Sequence, residues 1–152
     1  MGSRAVRSMT TAIDTNILIA LWNDDDTLNT LARSALDSAL GRGSLVIAAP
    51  VFAELLAAPS RNESFLDSFC KDTGISVDWY LNESIWRVAG RAFQHYVTRR
   101  RKQHDSHPRR ILADFLIGAH ALRNGFHLIT LDGHLYRAAF PRRTVDRASP
   151  PK

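Results

Sequence analysis

Thr10-Thr11-Ala12-Ile13-Asp14-Thr15-Asn16-Ile17-Leu18-Ile19 decides how this chain folds. Residues 10–13 form a short β-prone run, and apolar side chains recur in helical register from Asn16 to Trp22. The segment therefore reads as a strand feeding a helix, with one acid, Asp14, at the junction. The same alternation runs onward. The acidic cluster Asp24, Asp25, Asp26 opens a helix whose apolar positions continue to Leu40, Gly41 and Gly43 stop it, and a strand follows at 45–48. Pro50 suits the first residue of a helix over 51–58, and Pro59 ends it. A helix over 64–73, a strand at 75–77 and a long amphipathic helix from Asn82 to the basic run Arg99, Arg100, Arg101, Lys102 come next. A polar loop, a helix over 111–122 ended by Asn124-Gly125, a strand at 126–130 and a short helix at 133–139 complete the pattern. Strands alternating with helices imply a three-layer α/β/α sandwich around a central, mainly parallel sheet.

Most of the fifteen acids lie in polar runs, where solvation accounts for them, but four do not. Glu54 is the sole polar side chain of Pro50-Val51-Phe52-Ala53-Glu54-Leu55-Leu56-Ala57-Ala58, a helix apolar all round and so expected in an interior. Asp114 stands in Ile111-Leu112-Ala113-Asp114-Phe115-Leu116-Ile117-Gly118-Ala119-His120, and Gly118, one turn on, leaves room for something to approach. Asp14 and Asp132 fall at the carboxyl ends of predicted strands, the edge where open parallel sheets place their ligand crevice. Two carboxylates about 4 Å apart repel by roughly 4 kcal/mol at an effective dielectric near 20. No Lys or Arg is interspersed in these four windows to offset this. Hard divalent cations do so, and an all-oxygen site suits magnesium or manganese. Taken singly, Asp14 also fits a helix N-cap, Asp132 a turn residue, and Glu54 and Asp114 partners of distant arginines.

A chain of 152 residues, 45% hydrophobic, suits one domain over 9–146, with 1–8 outside the fold and 147–152 a tail. Its apolar stretches are too short for a bilayer span. A single cysteine, Cys70, excludes an intrachain disulfide and a thiolate zinc site, which fits a reducing cytoplasm. The net charge of +5 favours a polyanionic partner. Arg99, Arg100, Arg101, Lys102, Arg109 and Arg110, nearest in sequence to Asp114, are the candidates to hold RNA or an acidic protein segment; a solvated helix end explains them equally well. His104 and His107 have a spacing that metal ligands use, as do many solvated loop histidines.

Ile13-Asp14-Thr15-Asn16, Pro50-Val51-Phe52-Ala53-Glu54, Ala113-Asp114-Phe115-Leu116-Ile117-Gly118-Ala119-His120-Ala121 and Leu128-Ile129-Thr130-Leu131-Asp132, in this order, resemble a PIN domain. The likeness spans about Thr10 to Val145 and is nearest to the VapC-type toxins, magnesium-dependent endoribonucleases neutralised by a cognate antitoxin. It implies that Asp14, Glu54, Asp114 and Asp132 are the catalytic acids and that Asn16 and Thr130 are their polar supports. Asp14 and Asp114 would ligate Mg2+ (or Mn2+) directly, and Glu54 and Asp132 would bind a second ion or hold water. RNA, an antitoxin and a second copy of the chain are the implied partners. The arginine run and the His104-to-His107 loop lie outside the family's signature. The resemblance implies phosphodiester hydrolysis by water, with two cations about 3.5 to 4 Å apart. An aspartyl-phosphate-forming phosphatase would need a second acid beside Asp14 and a lysine at a strand end, and neither is present. A noncatalytic PIN-fold module that only binds RNA or protein is the other reading, and retention of all four acids argues against it.

Overall fold

The computed structural model describes residues 9–25, 27–103, 110–140 and, for the backbone, 145–147. Strand β1 (Thr11–Ile13) leads into α1 (Thr15–Leu21) and α2 (Asn29–Arg42). Next come β2 (Leu45–Ala48), α3 (Ala49–Leu56), α4 (Glu63–Thr73) and β3 (Ser76–Asp78). The rest is α5 (Glu83–Gln103), α6 (Leu112–Asn124), β4 (His127–Thr130), α7 (Gly133–Ala139) and β5 (Val145–Arg147). The strands form one sheet in the order β3-β2-β1-β4-β5, every pair parallel. Central β1 pairs Ala12 with Val46 on one side and with Leu128 on the other. All three of its residues are buried, as expected of a strand covered on both faces by helices.

The chain leaves β1 towards β2 and β3, then crosses back to β4 on β1's far side. Between β1 and β4 the direction of winding reverses, and there the strand ends open into a crevice. Ile13, Ile17, Leu18, Ile47, Phe115, Leu128 and Ile129 are fully buried around this line and anchor it. At the sheet's edge, buried His120 of α6 sets Nε2 2.8 Å from Asp78 Oδ2 and ties β3 to that helix.

Several expectations need correction. The acidic cluster does not open α2: the helix begins at Asn29, whose amide instead donates to the carbonyls of Ala20 and Leu21, while Asp24 pairs with Arg33. Helix α3 is not interior on all sides: Val51 and Leu55 are buried, whereas Ala53 faces solvent and Glu54 is half-buried. Arg147 is no tail residue, because β5 pairs it with Thr130. Residues 1–8, His104, His107, Arg109 and 148–152 lie outside the described residues. Among described helices none is long and apolar enough to cross a membrane.

Gly118 was expected to leave space, but the Phe140 ring fills it. A Cβ there would meet that ring well inside contact distance. Gly118→Ala gains about 1 kcal/mol of helix propensity and loses about 1–3 kcal/mol to overpacking. A net loss of about 1 kcal/mol is expected, seen as a lower urea midpoint at unchanged m-value.

Candidate active site

Asp14 closes β1: its N–H donates to the Ile129 carbonyl, continuing the β1–β4 ladder, and its extended backbone makes it the N-cap of α1. One carboxylate oxygen accepts from Thr15 N–H at 2.7 Å and the other from the Thr130 hydroxyl at 2.7 Å. Cap and site residue are thus the same side chain. Thr130 is a hub, its oxygen also accepting from Asp132 N–H at 2.9 Å and from the Asn16 amide at 3.4 Å. Asn16 in turn accepts from Leu131 N–H at 3.1 Å. The two expected supports, Asn16 and Thr130, therefore lock β4 to the start of α1.

Glu54 reaches in from α3 and accepts from the Thr15 hydroxyl at 2.7 Å. Asp114, at the third position of α6, folds back to accept from Ile111 N–H at 3.2 Å, where the positive end of the helix also favours a carboxylate. Asp132 caps α7 by accepting from Leu135 N–H at 3.3 Å. Its other oxygen lies 2.6 Å from the Arg110 guanidinium. The protein does supply one countercharge, brought in from outside the four acidic windows.

Asp14, Asn16, Glu54, Asp114, Asp132 and Arg110 line one cleft of about 210 Å3 together with Thr15, Ile19, Leu135 and Tyr136. Thr130 stands behind Asp14, fully buried. Arg99, Arg100 and Arg101 lie on the last turns of α5 and do not line the cleft. Tyr96 links that helix to the site, its hydroxyl accepting from Arg110 N–H at 2.8 Å and from Arg100 at 3.3 Å.

The electrostatics are those of a site short of positive charge. Burial pushes the Asp14 carboxyl up to about 6, and nearby Asp114 adds to the rise against the hydrogen bonds that oppose it. Burial, then Asp114, raises Glu54. Burial also raises Asp114, with Asp132 adding to the effect and Arg110 opposing it. Three carboxyls raised by burial and by neighbouring negative charge suit a hard divalent cation, which would relieve all three. Among the described residues, no group of three or more His, Cys, Asp or Glu is already drawn together as a ligand cage. Magnesium does not require one, since it usually takes one or two carboxylates and keeps its waters.

Sequence reasoning missed Thr15 and Tyr136. Tyr136 follows Asp132 by four residues, one helical turn, and that spacing is the signal that would have found it. Thr15, directly after Asp14, carries none.

Fold and site together define an α/β domain with a carboxylate-lined cleft where its parallel sheet changes direction. The chain belongs to the PIN domain family, whose model matches residues 11–141. No curated protein sequence matches it. Among solved structures, it is similar to VapBC-1 from nontypeable Haemophilus influenzae (23% identity, TM-score 0.62, covering 93% of this chain and 100% of that one). It is likewise similar to a toxin–antitoxin complex from Klebsiella pneumoniae (18%, 0.64, 93% and 99%). A third is Mycobacterium tuberculosis VapC20, described as a sarcin-ricin loop cleaving toxin (18%, 0.57, 84% and 94%). At these identities the likeness establishes the fold.

Proposed function

We propose that this chain is a magnesium-dependent endoribonuclease that hydrolyses RNA phosphodiester bonds and serves as the toxin of a toxin–antitoxin pair. The observation that carries the reading is the buried Asp14, raised to about 6 and sharing its cleft with Glu54 and Asp114, both also raised. Asp14 and Asp114 are the direct ligands in this reading. Glu54, steadied by Thr15, holds a second cation or a water, and manganese substitutes for magnesium. Asp132 takes part only after Arg110 releases it, which links its role to that arginine. When bound, the cation supplies Lewis-acid stabilisation of phosphoryl oxygen charge and makes water more acidic. Arg110, at the cleft wall, offers a guanidinium to a phosphate, and Arg99 to Arg101 extend the basic surface. The toxin assignment draws on the toxin–antitoxin complexes that this chain resembles, and it carries with it an antitoxin as protein partner; a second copy of the chain is proposed beside it.

Purified protein incubated with a panel of structured RNAs should cut internally in Mg2+ or Mn2+ and not in excess chelator. RNA bound but uncut under every metal condition would leave a noncatalytic binding module. Cleavage that persists in Asp14→Asn and Asp114→Asn would remove the acids from the chemistry. Expression should arrest growth, and Asp114→Asn should relieve the arrest.

A further inference from the structure

Tyr136, on α7, is among the largest fully buried side chains, 1% exposed, yet it lines the acidic cleft. Its hydroxyl makes no hydrogen bond of standard geometry. A buried hydroxyl without a partner costs about 1–3 kcal/mol, and phenylalanine would fill the same space without that cost. Such a group calls for an explanation.

Its surroundings supply one. The hydroxyl faces Asp14, with Asp114 and Glu54 close enough to act on it. A phenol is neutral at physiological pH and keeps its O–H as a donor to offer these charges.

The donors around Asp14 can be counted. An ionised carboxylate offers about four lone-pair positions. Thr15 N–H takes one and the Thr130 hydroxyl takes another, each at 2.7 Å. Thr130 cannot be drawn away, because its oxygen is engaged by Asp132 and Asn16. Tyr136 is a third donor aimed at the same group, and with it in place one lone pair remains. A carboxylate so held presents a single oxygen direction, which suits a cation that keeps most of its waters.

We propose that Tyr136 is a positioning residue: in the metal-loaded cleft its hydroxyl donates to the Asp14 carboxylate and fixes the direction from which that carboxylate meets the cation. This rests on the reading of the cleft as a metal site. Tyr136→Phe in the full chain tests it, with Mn2+ alone as the probe in calorimetric titration. Affinity for Mn2+ should fall about 10- to 100-fold, the usual effect of removing a partner that orients a ligand. The metal-free melting temperature should stay level or rise, since no formed hydrogen bond is lost. The Mg2+ concentration for half-maximal RNA cleavage should rise by the same factor, with the full rate recovered at saturation. Mn2+ affinity within twofold of the parent chain overturns the proposal. So does weakened affinity that comes with a lower metal-free melting temperature, because the hydroxyl would then be holding the fold rather than aiming the carboxylate. A parent chain that binds no Mn2+ overturns the metal reading itself, an outcome distinct from an unaffected Tyr136→Phe.

Discussion

Asp14→Asn is expected to reduce metal-dependent RNA cleavage by at least about 1,000-fold, while the metal-free protein becomes more stable at neutral pH. Loss of several kcal/mol of charge stabilisation, at 1.36 kcal/mol per tenfold in rate, sets the first figure. The second follows from the acid's environment. Asp14 titrates at about 6 in the folded chain against 3.8 for an unperturbed carboxyl, so folding favours its protonated form. Its contribution is fully present below pH 3.8 and is lost as pH rises through about 6, leaving the ionised state about 3 kcal/mol worse off. Asparagine removes that penalty but returns about 1 kcal/mol, because the Thr130 hydroxyl loses a charged acceptor. A net gain of about 1–2 kcal/mol is expected at pH 8, shrinking to about 0.5 kcal/mol at pH 5 and vanishing towards pH 4. Urea unfolding at the two pH values measures it. A variant less stable than the parent at pH 8 would mean that Asp14 serves chiefly as a helix cap.

The counterpart is the response of the parent chain to metal. Saturation to 100 times the dissociation constant stabilises a folded protein by about 2.7 kcal/mol, or roughly 5–10 °C in melting temperature for a domain of this size. Protons compete for Asp14, so the gain from Mg2+ or Mn2+ should be full at pH 7.5 and should fade as pH drops through about 6. Thermal scans with and without metal at pH 5.0 and 7.5 make the comparison. Equal shifts at both pH values would place the bound ion away from Asp14.

Much of this arrangement was legible in the sequence because it is local. Asp14 after Ile13, and Asp132 two residues past Thr130, are strand-end acids whatever lies between them, and a parallel sheet brings such ends to one edge. Asn16 and Thr130 stood out through the family resemblance, and the structure supplies their purpose: the 2.7 Å bond from Thr130 and the clasp of Asn16 on Leu131. What was illegible depends on distant segments. Nothing near Asp132 announces Arg110, since the ion pair forms only when α6 and α7 pack at the same cleft. The space beside Gly118 looked open because Phe140, which fills it, lies beyond the next strand. The run of alanines and leucines around Glu54 hid which side of α3 faces outward, because alanine carries little preference either way. Tyr136 went unmarked because its ring belongs to the core and only its oxygen to the cleft.

The family match ends at residue 141, yet the sheet continues to Arg147 through β5. A chain cut at the match would leave β4, the strand that delivers Thr130 to Asp14, as an open margin of bare N–H and C=O groups. Such a margin is a template on which further copies can add, strand on strand. Strand β5 thus shields β4 from such pairing, and a boundary drawn by similarity alone would remove that shield.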